Sequence, residues 1–237
     1  MSYTVPINRA HPGLIMLLLD QSDSMNDDYG AGTGTKAQTL ARLVNRLIRN
    51  LVLQCERGDE LRHYYDVGVI GYGGTEARSA FGGELAGQFV VPIATVANYP
   101  LSMELEALPE RPDVMLERPI WIESVGSGGT PMTEAINLAG GILVDWANEN
   151  LDSFPPLVIN ITDGMATDGD PRQIAEQLRE IHTNDGNLLF FNVHISEAGG
   201  TACEFPATSN GLPDRYAEVL FGMSSELTPY MRTVGQN

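Results

Sequence analysis

Two periods of apolar side chains alternate along the chain. Leu14 to Leu19 is an unbroken apolar run, the pattern of a strand covered on both faces. A polar, Gly-rich stretch from Gln21 to Thr35 follows. Leu40, Leu43, Val44, Leu47, Ile48, Leu51 and Val52 then recur at steps of three and four, with Arg42, Asn45, Arg46, Arg49 and Asn50 opposite. That spacing predicts an amphipathic helix with Leu43 inside and Asn45 outside. Tyr64–Tyr72 reads as a second strand. Residues 88–96 are β-rich, but Pro92 has no N–H for a ladder, which predicts an edge strand. Residues 98–119 hold Pro100, Pro109, Pro112 and Pro119 and no clear period, and are read as an insertion or long loop. Ala135, Leu138, Ala139, Ile142, Leu143 and Trp146 mark a further helix, with Thr130 placed to cap it and Pro131 at its first position. Leu157–Ile161 is the next strand. Asp170, Pro171 and Gln173 suggest a capping box for a helix whose inner face is Ile174, Leu178 and Ile181. Leu188–Ile195 is another strand, and Asp214–Leu220 and Ser225–Met231 read as short helices.

Apolar runs alternating with helical patterns predict an α/β fold, a mostly parallel sheet with helices on both faces. The 237 residues suit one domain, with a core over residues 13–221 and a short helical tail at 222–237. A hydrophobic fraction of 43% supports a sizeable core, and 19% charged residues are too few for a disordered, solvating chain. Fourteen Lys and Arg against 31 Asp and Glu give a net charge of −17. That charge disfavours nucleic acid and anionic lipid as partners. No apolar run reaches the roughly 18 residues a membrane span needs. The N-terminal apolar run ends in Asp20 with no small-residue cleavage site, a poor signal peptide. Cys55 and Cys203 are too few and too far apart in sequence for a disulfide framework or a zinc site. A cytoplasmic location is the expectation.

The chemistry concentrates in three loops. Asp20-Gln21-Ser22-Asp23-Ser24 leaves the first strand. Gly126-Ser127-Gly128-Gly129-Thr130 precedes a helix. Ile161-Thr162-Asp163-Gly164 leaves the Leu157–Ile161 strand. In an open parallel sheet, ligands sit at the carboxyl ends of the strands. Carboxylates and hydroxyls without sulfur or imidazole suit a hard divalent cation: Mg²⁺, with Mn²⁺ or Ca²⁺ as alternatives. Two carboxylates facing each other at about 5 Å would repel by about 3 kcal/mol at an effective dielectric near 20, which a dication would reverse.

These residues resemble the metal-ion-dependent adhesion site of von Willebrand factor A domains, which is Asp-x-Ser-x-Ser, then a loop threonine, then a loop aspartate. Asp20, Ser22, Ser24, Thr130 and Asp163 fill the five positions in that order. The resemblance covers residues 14–220 and implies a doubly wound sheet with one antiparallel edge strand. It implies that Ser22 and Ser24 bind the metal through hydroxyls. Thr130 would bind directly or through water, Asp20 and Asp163 would hold coordinated waters, and a partner's Glu or Asp would fill the sixth position. Many relatives carry Gly where this chain has Asp23, which adds a third carboxylate to the loop. The chain looks most similar to stand-alone bacterial A domains, including the TerY-like proteins of tellurite-resistance and stress-response clusters. Those stand beside protein kinases, metal-dependent phosphatases or AAA+ ATPases of the MoxR type.

The resulting expectation is a non-enzymatic, metal-dependent protein-recognition module. Asp20→Ala or Asp163→Ala should abolish metal-dependent partner binding and leave the fold. The rivals are a metal-assisted hydrolase using the same loops and an adaptor with a vestigial site. Singly, Ser22 and Ser24 would be turn residues and Thr130 a helix cap. Asp170 is read as a helix cap, and Asp168, Asp27 and Asp28 as solvated loop charges. Gly30 to Lys36 resembles a phosphate loop only briefly: Thr35 stands where Gly must precede the lysine, and Ala37 follows it. The other function weighed for Lys36, the chain's one lysine, is contact with an acidic partner. His11, His63, His182 and His194 have no zinc-type spacing, and no Gly-x-Ser-x-Gly elbow is present.

Overall fold

The computed structural model describes residues 2–30, 34–108, 111–195 and 203–234. The order of elements is β1 (Gly13–Asp20), a 3-10 turn (Asp23–Asn26), α1 (Lys36–Cys55), a small hairpin of β2 (Glu56–Arg57) and β3 (Glu60–Leu61), β4 (Tyr65–Gly73), β5 (Glu76–Ser79), a second 3-10 turn (Gly83–Leu85), β6 (Val90–Pro92), α2 (Ile93–Asn98), β7 (Ser102–Leu108), β8 (Arg111–Ile120), α3 (Met132–Glu149), β9 (Leu157–Thr162), α4 (Arg172–Arg179), β10 (Leu189–His194), α5 (Arg215–Met223) and α6 (Pro229–Val234). The central sheet runs β10-β9-β1-β4-β5, and β6 also pairs with β4. β1 is parallel to β4 and to β9, and β9 is parallel to β10. β5 covers Ile70–Gly73 of β4 and β6 covers Asp66–Gly68, both antiparallel. The two short strands are thus successive pieces of one antiparallel edge. Pro92 ends its strand at this edge, where a missing N–H is tolerated. The chain is a mixed α/β fold with a mostly parallel central sheet.

Alternation along β1 splits the core. Leu14, Met16 and Leu18 face Ala135, Ile136, Ala139 and Leu143 of α3, with Leu178 of α4 and Leu220 of α5. Leu17 and Leu19 face the other way, onto Leu40, Val44, Ile48 and Leu51 of α1. β1 and β4 are buried on both faces because both layers of helices cover them, and this is why β1 reads as a continuous apolar run.

Several sequence expectations need correction. Residues 93–98 are helix rather than the second half of a strand: β6 stops at Pro92 and α2 takes over. Residues 102–120 are not a loop but a two-stranded antiparallel hairpin of β7 and β8, separate from the central sheet. Residues 102–107 are all exposed, and Met103, Leu105 and Met115 are open to solvent, so the hairpin carries no in/out pattern to read. Thr130 does not cap α3. The N-cap is Pro131, and the Thr133 and Glu134 amides donate to Asp168 at 3.1 and 2.8 Å, so Asp168 is the capping carboxylate rather than a solvated charge. α4 has no capping box: Asp170 accepts from the Arg172 amide and guanidinium, while Pro171 takes the N-cap position. The final helix starts at Pro229, not Ser225. In α1, Leu43 is exposed and Asn45 buried, the reverse of the helical-wheel reading. Cys55 lies buried at the end of α1 and Cys203 is exposed, both free thiols.

Asp185 ties the N-terminal segment to the body. Its carboxylate accepts from the Ser2 hydroxyl at 2.5 Å and from the Thr4 and Val5 amides at 3.0 Å each. Desolvation pushes this carboxyl up, but the hydrogen bonds from Ser2, Thr4 and Val5 outweigh it and hold it below the ordinary 3.8. A depressed native value means that the unfolded carboxyl binds its proton first as pH falls. The stabilisation is therefore complete above about pH 5, and is lost as pH drops through 3.8 and past the native value. The protection factors of the Thr4 and Val5 amides, exchange relative to the intrinsic rate at each pH, are expected to fall across that window, and in Asp185→Asn to be low already at neutral pH. Unchanged protection of the two amides down to pH 2 would remove this role.

Candidate functional site

The site forms where two adjacent parallel strands end. Asp20 is the last residue of β1, and Asp163 follows the last residue of β9. Leu19 pairs with Ile161 just before the two strands release their loops. Asp20 is fully buried. Its carboxylate accepts from the Ser22 amide at 2.9 Å and from the Thr162 hydroxyl at 2.5 Å. Thr162 also accepts from the Gly164 amide at 3.1 Å, which fixes the turn carrying Asp163. Burial pushes the Asp20 carboxyl above its ordinary 3.8. Hydrogen bonds from Ser22 and Thr162 work against that rise, and the charge of Asp163 adds to it.

The outer layer is less enclosed. Ser24 donates to Asp163 Oδ1 at 2.8 Å, and the Ser22 and Ser24 hydroxyls lie 3.1 Å apart. The second loop is laced to the first through backbone bonds. Ser127 N–H donates to Gln21 O at 2.7 Å and Asp23 N–H to Gly128 O at 2.9 Å. Gly74, just past β4, donates to Ser127 O at 2.6 Å. Gly128 adopts φ +67, and a Cβ there would lie 2.6 Å from Gly74 Cα, so two backbones touch where no side chain fits. Thr130 N–H donates to Thr167 Oγ1 at 2.9 Å, and Thr167 N–H returns to Thr130 O at 3.0 Å, which joins the second loop to the third.

Three stretches remote in sequence, at 20–24, 126–130 and 161–164, therefore meet. Ser24, Thr130 and Asp163 line one open cleft of about 510 Å³, and Asp20 and Ser22 lie buried at 0% and 2% exposure. A polar relay crosses the sheet from β4: Tyr72 donates to Asn160 at 2.7 Å, and Asn160 to Asn192 at 2.9 Å.

Lys36 lines the same cleft. Sequence reasoning weighed it as a false phosphate loop and as a surface contact for an acidic partner. It is instead buried, with its side chain 2% exposed and Nζ 2.8 Å from Asp163 Oδ2. Asp27, which is itself 61% exposed, lies 3.6 Å from the same ammonium. Residues 31–33 of the Gly-rich stretch lie outside the described residues. What remains of the stretch is a tight excursion: Asp28 bridges to Thr35, and Thr35 and Gln38 cap α1 reciprocally. That capping box was legible in T-x-x-Q, and it places Lys36 at the first helical position, over the site.

The donor set matches a hard cation in kind. It holds two carboxylates and three hydroxyls, the oxygen donors such an ion takes. Both Asp163 oxygens already carry a donor, Ser24 and Lys36. A dication taking the Oδ2 side would do so in exchange for the lysine. Left in place, the ammonium would repel it: even two unit charges 4 Å apart interact by about 4 kcal/mol at an effective dielectric of 20.

No helix of the described residues is long and apolar enough to cross a membrane. No family model matches the chain, and no curated protein matches it. Among solved structures the chain is similar to the PilB minor pilin of Streptococcus sanguinis, at 15% identity and a TM-score of 0.36 over 65% of this chain, and it spans 30% of the pilin chain. It is also similar to an uncharacterized membrane-spanning protein of Vibrio fischeri, at 17% identity and a TM-score of 0.32, covering 77% of this chain and 70% of that one.

Proposed function

We propose that this chain is a von Willebrand factor A-type domain, doubly wound, that recognises a protein partner through a divalent cation, Mg²⁺ before Mn²⁺ or Ca²⁺. The observation that carries the reading is the meeting of Asp20, Ser22, Ser24, Thr130 and Asp163 from three remote loops at the carboxyl edge of the parallel sheet. Ser22, Ser24 and Thr130 would hold the cation through hydroxyls, with Asp20 and Asp163 balancing its charge from behind. When bound, the cation supplies a positive, exchangeable coordination position for a partner's Glu or Asp. The chain's own residues do the rest. Thr162 and the Ser22 amide fix Asp20, Ser24 orients Asp163, and the backbone lacing of residues 126–130 keeps Thr130 at the cleft. A partner carboxylate approaching without the cation would meet a chain of net charge −17.

The partner's setting follows from the resemblance alone: an adaptor in a bacterial stress-response system, beside a kinase and phosphatase or an AAA+ ATPase, in the cytoplasm. Recognition is preferred to the hydrolase alternative on the resemblance alone; His194, 3.9 Å from Asp214, also lines the cleft. Calorimetric titration of Mg²⁺ tests the reading. Saturable heat in the wild type, absent in Asp20→Asn, is expected. Asn keeps the acceptor for Thr162 or Ser22 and removes the charge. Equal heats in both proteins would sink the assignment, and a flat wild-type titration would favour the vestigial adaptor.

A further inference from the structure

A cation already sits in the cleft, and it is covalently part of the chain. Lys36 is the sole lysine, it is 2% exposed, and it stands at the first position of α1. A helix N-terminus carries partial positive charge and disfavours a cation there. The first turn of α1 holds no acidic residue to offset that. Burial of the ammonium adds a desolvation penalty. Its carboxylate partners, Asp163 Oδ2 at 2.8 Å and Asp27 at 3.6 Å, offset these costs. A lysine is also suited to leave: its stem is flexible and its three donors rotate. The open cleft beside it has room for the withdrawn head group.

We infer that Lys36 is a tethered counter-cation that holds the Asp163 side of the site closed and exchanges with the dication. This rests on the metal-binding reading above and adds the residue that sets its affinity. With the lysine in, Asp163 is neutralised and the cleft is stable without metal. With the lysine out, Asp163 Oδ2 is released to the dication or its water. Metal affinity is therefore lowered by the work of displacing the ammonium, and partner binding is gated by the same exchange.

A single lysine makes the exchange directly readable. The intact chain is acetylated with acetic anhydride in EDTA and in saturating Mg²⁺, and the peptide containing Lys36 is followed by mass spectrometry. Any terminal amine falls on a different peptide. Slow modification in EDTA, with Mg²⁺ accelerating it about tenfold or more, is expected. In calorimetry, Lys36→Gln keeps a donor for Asp163 without the charge and should bind Mg²⁺ about tenfold or more tightly than wild type. Lys36→Arg, which keeps the charge, should stay near wild type. Wild-type chain that binds Mg²⁺ with no change in Lys36 reactivity overturns the exchange and leaves the metal reading standing. Equal affinity of Lys36→Gln and wild type, or tight binding by Lys36→Arg, also overturns it. No heat in wild type or Lys36→Gln overturns both. If Lys36→Gln is unfolded in EDTA, folding on addition of Mg²⁺ is the expected result, and failure to fold overturns the inference.

Discussion

Asp163→Ala is expected to lower the unfolding free energy by about 3–5 kcal/mol in the presence of chelator, because it removes the carboxylate 2.8 Å from the buried Lys36 ammonium at a helix N-terminus, while Asp27, 3.6 Å away, is itself largely exposed. Sequence reasoning treats this substitution as a clean probe that removes metal binding and leaves the fold. The ion pair changes that expectation. Breaking a buried pair on one side is far more damaging than replacing both sides by apolar groups of similar volume. The double variant Lys36→Met with Asp163→Leu should therefore recover most of the loss, while binding no Mg²⁺. Urea denaturation of the wild type, Lys36→Met, Asp163→Leu and the double variant forms a thermodynamic cycle. A strongly non-additive cycle is the expected outcome. A loss under about 1 kcal/mol for Asp163→Ala would place the pair with ordinary solvated surface bridges. For functional work, Asp20→Asn is then the better tool, since Asp20 is held by neutral donors rather than by a charge.

The second large effect is expected at Asn45. Its side chain sits at 6% exposure inside the α1 face. Its amide donates to Ile122 O at 2.8 Å, and its oxygen accepts from the Trp121 and Ile122 amides at 2.8 and 3.0 Å. Those contacts satisfy three backbone groups of the segment leading from β8 toward the Gly126–Thr130 loop. Asn45→Ala leaves all three without their partner in a buried place, at about 1–3 kcal/mol for each such group and partly shared. A total near 3–5 kcal/mol is expected by chemical denaturation, together with weaker Mg²⁺ binding because the Thr130 loop loses its anchor. Asn45→Asp, which keeps the acceptor but not the donor, should fall between wild type and alanine. Destabilisation below about 1 kcal/mol for alanine would mean that water enters and takes over the three bonds.

How far the sequence reaches is visible in these two residues. The periodicity of α1 located the helix, but a stripe of apolar positions is wider than the face that packs. Leu43 and Asn45 lie at its margins, and which of them turns inward was decided by what lies opposite. Asn45 turned in because the 121–122 backbone needed an acceptor and a donor there, and Leu43 turned out to solvent. Asp168 tells the same story: the nearest cap by spacing was Thr130, yet the α3 amides were taken by a carboxylate from a loop 34 residues downstream. Pro92 and the four prolines of 98–119 correctly forbade a central strand. They did not forbid a hairpin off the sheet, where missing amide donors can face solvent.

β1, α1, β4, α3, β9 and β10 were legible, because doubly buried strands and amphipathic helices write their burial into local order. The oxygen-bearing loops were legible too, because each sits at the end of such an element. What the sequence by itself determined is therefore the elements and the identity of the polar residues at their ends. What only the tertiary structure decided is who neutralises whom. Lys36 and Asp163 are 127 positions apart, and nothing in local periodicity records that the head of α1 lies over the exit of β9. Electrostatic pairing acts through space, and it becomes strong only after folding has removed the water between the charges.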